Sequence, residues 1–508
     1  MEKRLILAIA LSMMILLTWS AIMPKPQHIE NKYVASKNNL IPPVENKSVT
    51  PEIKPGEPLP PPDALIKFQN PQYEITFIEP WAAIKEVKFY KYQGTTLNLK
   101  SGFLLGEGNL IFKKIFSNQN SITFEAIGQN KRIKKHFIFD NSNYGIWLEI
   151  NVQSESGISQ VVNLPLILGR LDIDFKNPDA RFQSMAVANS ERTLHANVQK
   201  ETTFEHTKFL ALLNKYFCAI IEPPAGKYGA YVKKVGSKES EIGLVNKEVV
   251  LPPGESFKEK FHIYLGPQDL QLIKAINYDW SAVINYGTFD FIAQLLLQLL
   301  GLFYALVHNW GWSIVLLSLA VYGLLFPLTL KQMRSMKEMQ VLQPKVAALR
   351  LAYKDNPQKL NRETLALYKE HKVNPLGGCL PLILQMPIFF ALYQALMRSV
   401  ALKGAHFLWI KDLSEPDRLF VLPFSLPVLS NEINILPILM AIGMFIQQKI
   451  SLAKGSMGVA AEQQKMMLIM MPLLFGFIFY RMPSGLVLYW FINSALTLVY
   501  QMRINRAQ

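Results

Sequence analysis

The sequence predicts a polytopic α-helical membrane protein of six spans that carries a separate all-β domain. Three observations lead there. Apolar residues make up 50% of the 508-residue chain and charged ones 18%, and the apolar ones concentrate near the N-terminus and after about residue 288. A soluble chain of this size carries more charge, more evenly spread. Between about 66 and 270, apolar and polar residues alternate with period two, the mark of strands with one buried and one wet face. A short, strongly basic segment then separates two apolar stretches, as in a cytoplasmic loop.

Lys3 and Arg4 precede an apolar run that reaches about Met23. A cleaved signal peptide shares this layout. Trp19-Ser20-Ala21-Ile22-Met23-Pro24 offers no clean cleavage site, so residues 1–23 read as an uncleaved anchor with its N-terminus in the cytoplasm. Residues 24–65, with Pro42, Pro43, Pro51, Pro55, Pro58 and Pro60 to Pro62, form an extended tether. In the β domain, 66–270, Tyr73, Ile75 and Phe77 alternate with polar residues, as do Ile146, Leu148, Ile150 and Val152. Turn residues such as Asn141-Ser142-Asn143 separate the strands, and a short helix is expected near 208–215. Cys218 and Cys379 fall in unrelated contexts and read as apolar packing residues rather than a disulfide.

In the apolar stretch 286–307, Asp290, Gln294 and Gln298 recur every four residues and share one helical face. That pattern suits a helix lying in the membrane interface, although its length nearly suffices to span. Five true spans follow, at 311–330 and, within 376–503, at 376–397, 433–450, 466–480 and 485–500. Residues 419–432, broken by Pro423 and Pro427, read as an external loop, and 504–508 as a short cytoplasmic tail. The segment 331–373 contains Lys331, Arg334, Lys337, Lys345, Arg350, Lys354, Lys359, Arg362, Lys369 and Lys372 against four acidic residues. An N-in anchor and an external β domain place it in the cytoplasm only if 286–307 does not span. The interfacial reading therefore wins, and both termini are cytoplasmic.

The net charge of +15 thus reflects topology rather than DNA binding. Within the basic segment Met339, Leu342, Val346, Leu349 and Tyr353 form a heptad-like seam, and Asn356-Pro357 starts a second helix. Two antiparallel helices result. The hairpin reads either as a solvated connector or, favoured by its ten Lys and Arg, as a docking surface through Lys337, Lys345, Arg350, Lys354 and Arg362, with anionic lipid or ribosomal RNA among the expected contacts.

Catalytic patterns are missing from the sequence. It holds no P-loop, no paired zinc-type His motif, no Gly-x-Ser-x-Gly and no dinucleotide fingerprint. The eight histidines lack ligand spacing. A hydrolase or an ATP-driven pump is excluded, and no cofactor or metal is expected. Polarity inside the spans stands out instead. Ser318 and Tyr322 share a face of the second span. Gln385 sits mid-span with Phe389 and Tyr393 on its side, and the last span carries Trp490, Asn493 and Thr497. Interhelical hydrogen bonding explains any one of them; several at similar depth favour a shared wet cavity. Most of the 19 methionines lie after residue 330; they suit a surface accepting varied partners and equally serve as core filler.

Val373-Asn374-Pro375-Leu376-Gly377-Gly378-Cys379-Leu380-Pro381, with Gln385-Met386-Pro387-Ile388-Phe389, resembles the third-helix signature of the YidC-type membrane protein insertases. Met482-Pro483-Ser484-Gly485-Leu486-Val487-Leu488-Tyr489-Trp490, Asn309-Trp310-Gly311 and Leu342-Gln343-Pro344-Lys345 match as well, and Tyr264-Leu265-Gly266-Pro267 ends the β domain as in Gram-negative members. The resemblance implies a periplasmic β-supersandwich, a five-helix core bundle, and inner-membrane insertion without nucleotide consumption. It implies a hydrophilic groove open to cytoplasm and lipid, in which Ser318, Tyr322, Gln385, Phe389, Trp490, Asn493 and Thr497 meet the substrate. Implied partners are nascent membrane proteins, the Sec translocon, and the ribosome or signal-recognition pathway. One position departs: Tyr322 stands where the family typically has an Arg, so the groove is expected to be polar but uncharged.

Two other classes compete. A small-solute transporter or channel needs polar residues reaching the external ends of the spans, and those ends look apolar. A sugar-active β domain needs paired carboxylates, and none are placed for it.

Overall fold

The computed structural model describes residues 64–506 apart from 107–109, 129, 175–179, 190, 197, 199, 354–355, 372, 374–379, 427–429 and 452–458. The expected anchor, nearly all of the tether, Lys354, Cys379 and the side chain of Lys337 lie outside the described residues.

Period-two alternation builds what it predicts. Strand Lys131–Phe139 alternates buried and partly exposed residues along its whole length, and Gly145–Ser154 nearly does. They lie side by side in a nine-stranded antiparallel sheet that runs through Thr193–Ala196, Ser184–Ala188, Phe209–Leu213, Phe217–Glu222, Ser256–Pro267, Gly145–Ser154, Lys131–Phe139, Ser121–Gly128 and Lys113–Ser117. A four-stranded sheet (Leu65–Gln69, Tyr73–Ile78, Ala83–Phe89, Thr96–Gly102) packs its inner face onto the large one. Phe89 stacks on Phe217 at 4.2 Å, and Phe77 meets Phe137 edge-on at 5.2 Å. A five-stranded sheet completes the domain. The helix expected near 208–215 is a strand, Phe209–Leu213. All five of its residues are buried, because central strands covered on both faces lose the alternation that identifies a strand. Cys218 is buried in the neighbouring strand as a packing residue, and burial pushes its thiol pKa up.

Buried charges sit in this domain, Lys135 the most enclosed among the described residues. Lys135, fully enclosed, donates from Nζ to the carbonyl oxygens of Ala82 and Phe103, each at 2.5 Å. Both acceptors belong to residues with left-handed backbone (φ 44° and 62°). Such residues interrupt the ladders, and a buried carbonyl without a partner is costly. The ammonium answers both.

Among the described residues eight α-helices follow: α1 (Leu270–Ile276), α2 (Asp290–Val307), α3 (Trp310–Ala352), α4 (Pro357–Glu370), α5 (Leu380–Arg398), α6 (Ile435–Ser451), α7 (Val459–Phe479) and α8 (Ser484–Arg506). The expected span 311–330 and the first arm of the hairpin form one continuous helix, α3. Asn356 caps α4 as expected, its side chain accepting from the Lys359 N–H at 3.0 Å. Lys345 meets His371 at 3.0 Å and Lys359 lies over the Tyr353 ring, so α4 runs antiparallel to the end of α3. Leu342 and Val346 of the seam are buried. By length and composition, Gly287–Val307, Trp310–Lys331 and Ser484–Arg503 suffice to cross a membrane, and Ile435–Ile450 and Leu468–Phe479 are shorter apolar helices. The stretch expected as a loop contains two paired strands, Phe420–Leu426 and Ser430–Ile433, which make a small ribbon.

Burial pushes the Lys135 pKa down to about 7 from 10.5. Between those values the unfolded chain binds more protons than the folded one. Stability of the β domain should therefore rise with pH from about 7 towards 10, by on the order of 1.4 kcal/mol per unit. Denaturant unfolding of the detergent-solubilised chain at several pH values checks this, and Lys135→Met should remove that part of the slope.

Candidate functional site

The site lies between α3, α5, α7 and α8, and the residues that close one end of it explain several motifs. Asn309 caps α3 by accepting from the Trp312 N–H at 3.1 Å, and its amide faces the His406 carbonyl. Trp310 stacks on Tyr304 of α2 at 4.0 Å. At Gly311 a Cβ would fall 2.1 Å from the Phe407 ring, so only glycine lets the segment 405–415 cross the start of α3. The same segment seals the start of α8. The N–H groups of Ser484 and Gly485 donate to the carbonyls of Glu415 and Leu413 at 2.8 and 2.9 Å. These are donors that a helix N-terminus cannot satisfy itself. Asp417, buried, accepts from Trp409 Nε1 and from the Ile435 and Leu436 N–H groups, which caps α6. A single strap therefore ties together the ends of α3, α6 and α8. The β domain sits against it through Tyr216 Oη to Ser414 Oγ at 3.3 Å, Lys215 to Glu415 at 3.6 Å, and Gln93 to the Gly404 carbonyl.

Below the strap the predicted residues converge on one seam. Gln385 of α5 donates to the Tyr489 hydroxyl of α8 at 2.6 Å. Phe389 meets Trp490 edge-on at 5.3 Å, and Phe475 and Phe479 of α7 complete a cluster of four rings. Further along α8, Asn493 donates to the Tyr489 carbonyl and Thr497 to the Asn493 carbonyl, both at 2.9 Å. Tyr322 of α3 faces Thr497; its ring packs on Phe326, which in turn meets Tyr500 edge-on. Ser318 is placed differently from the rest. It is fully buried and donates to the Ile314 carbonyl at 2.8 Å, so its hydroxyl is satisfied within its own helix. The other six predicted residues are half-buried.

Two features escaped the sequence. Tyr489, fully enclosed, is the partner of Gln385. A tyrosine in an apolar run looks like packing, and only the glutamine facing it on another helix identifies its role. Second, the Tyr322 hydroxyl is shielded from solvent and faces Thr497 of α8. In the hairpin, Lys345, Arg350 and Arg362 are exposed as expected.

Residues 302–508 match the family described as 60Kd inner membrane protein, and residues 113–299 match that described as YidC periplasmic domain. The protein named membrane protein insertase YidC of Pelobacter propionicus is 36% identical over 387 residues, covering 75% of this chain and 70% of that one. Its namesake in Geotalea uraniireducens is 31% identical over 552 residues and covers 100% and 99%. A crystal structure described as an active YidC insertase with its first transmembrane domain resolved is 19% identical, covering 86% of this chain and 92% of that one, with a TM-score of 0.41.

Gly311→Ala should lower the thermal midpoint of the detergent-solubilised protein by several degrees, and adding Phe407→Ala should restore part of that loss. A double-mutant cycle of Gln385→Leu and Tyr489→Phe should give a coupling of about 0.6 kcal/mol, and no more than about 1.7, as for hydrogen bonds between helices in a bilayer.

Proposed function

This chain belongs to the YidC family of membrane protein insertases, and we propose that it inserts nascent inner-membrane proteins along the seam between α3, α5 and α8. The Tyr322 hydroxyl, facing Thr497 across the seam, carries this reading. A polar group held inside a membrane bundle is costly, and a polar flank of an incoming segment can hydrogen-bond to it. Gln385, Asn493 and Thr497 line the same route with hydrogen-bonding groups, and Phe389 and Trp490 present an aromatic wall to the apolar part. Ser318 supports the route from behind, as a buried part of the α3 packing.

The proposed topology has the strap and the β domain on the periplasmic side and the α3–α4 hairpin in the cytoplasm, with six spans and both termini inside. On that topology the strap closes the outer end of the seam, so entry is from the cytoplasm and exit is sideways into lipid. α2 lies in the outer interface: Ala293, Leu296 and Leu300 pack inwards, while Asp290 accepts from Gln294 on the polar face. The substrate's polar flank crosses against fixed hydrogen-bonding groups rather than bare hydrocarbon, which lowers its desolvation cost. No bond is made or broken, so the work needs no chemical step. The exposed Lys345, Arg350 and Arg362 receive the ribosome, a targeting factor or anionic lipid, and the Sec translocon is a further partner. A transporter or channel needs a continuous polar path, and the strap interrupts it.

Without the family's usual arginine the seam selects by hydration and shape. Tyr322→Arg should raise insertion of substrates with acidic external tails several-fold and leave neutral ones unchanged. Tyr322→Phe should keep stability and reduce insertion of substrates with polar flanks. Insertion yields in depleted cells measure both, alongside photocrosslinkers at Phe389 and Trp490. Yields indifferent to both substitutions, together with no adduct to nascent chains, would overturn the seam.

A further inference from the structure

The ribbon of Phe420–Leu426 and Ser430–Ile433 has no task in insertion as described. Its base is firmly tied. Arg418 pairs with Glu432 at 2.9 Å, and the Arg418 N–H donates to Asn434 Oδ1 at 2.9 Å. Asn434 donates to the Tyr480 carbonyl, and the Tyr480 hydroxyl to the Glu432 carbonyl, both at 2.8 Å. Beyond that base the ribbon changes character. No charged side chain occurs between Arg418 and Glu432. Phe420, Val421 and Phe424 are 61%, 62% and 58% exposed.

Successive strand residues point to opposite faces, so Phe420 and Val421 leave both faces apolar. A two-stranded ribbon with no layer beneath it is marginal in water, and two bare apolar faces make it worse. Something apolar covers it. A third strand from another protein is a poor candidate. Pro423 removes a donor from the ladder, and the pairing shifts register between Val421 and Leu426, both of which spoil a strand edge for docking. Lipid is the fitting cover, because the ribbon continues directly into α6. There Ile438, Ile442 and Phe445 form an exposed stripe, beside Leu473 and Phe477 exposed on α7. Depth is limited as well. Two strands leave outward N–H and C=O groups that hydrocarbon cannot satisfy, so the ribbon belongs at the headgroup boundary, where water reaches them.

We infer that the 420–433 ribbon is a membrane-interface anchor whose Phe420, Val421 and Phe424 insert into the outer leaflet beside α6, holding the strap at a fixed height over the seam. This rests on the membrane orientation given above. The test uses the full chain with Cys218→Ala and Cys379→Ala, carrying an environment-sensitive fluorophore at Val421→Cys or Phe424→Cys. It is reconstituted into phosphatidylethanolamine–phosphatidylglycerol vesicles with brominated acyl chains. Labels at Phe445→Cys on α6 and Lys113→Cys in the β domain are the lipid and water references. Both ribbon labels should show blue-shifted emission and bromine quenching comparable with Phe445 and several-fold above Lys113, strongest for bromines near the ester end. Quenching by aqueous iodide as at Lys113 overturns the anchor. Shielding from both quenchers, which means that a protein partner or a second copy covers the ribbon, overturns it equally. An unquenched Phe445 reference refutes the membrane orientation instead, and so separates the two failures.

Discussion

A phenyl ring occupies the space where a side chain at residue 311 would begin. Around that contact of Phe407 with Gly311 the strap descends onto α3, passes its carbonyls to the first N–H groups of α8, and caps α6 with Asp417. Each link satisfies backbone groups that would otherwise be bare at a helix end, and in or near lipid such groups have no water to turn to. The helices around the predicted residues are thus tied together at that end.

The polar side chains inside the bundle fall into two kinds. Ser318, Asn493 and Thr497 each donate to a carbonyl four residues earlier. Such bonds let a polar group persist in an apolar helix with no partner on another one. Gln385 instead bridges to Tyr489 on another helix, and the Tyr322 hydroxyl faces Thr497. Bonds within one helix and contacts between helices thus divide residues that look alike in sequence.

Legibility followed the range of the interaction. Asn356-Pro357 announced the start of α4 because a cap is local. The alternation of 146–152 announced a strand because one face is wet. Phe209–Leu213 did not, since both of its faces are covered. The span at 311–330 was legible from its apolar run, and the structure carries the same helix on past the charge boundary as α3. Gly311 and Tyr489 were visible as residues but not as roles: their partners, Phe407 and Gln385, lie on distant segments that only the fold brings near.

The continuity of α3 has a mechanical consequence. Its 43 residues form a rod of about 65 Å, with Tyr322 near one third of its length and the basic arm at the far end. Pro327 and Pro344 are the prolines inside it, and each deletes a rung of the hydrogen-bond ladder. A load landing on the arm acts with a long moment about Pro327, one turn and a half from Tyr322. The basic arm and the Tyr322 wall therefore belong to a single helix, jointed at Pro327 and seated at Gly311.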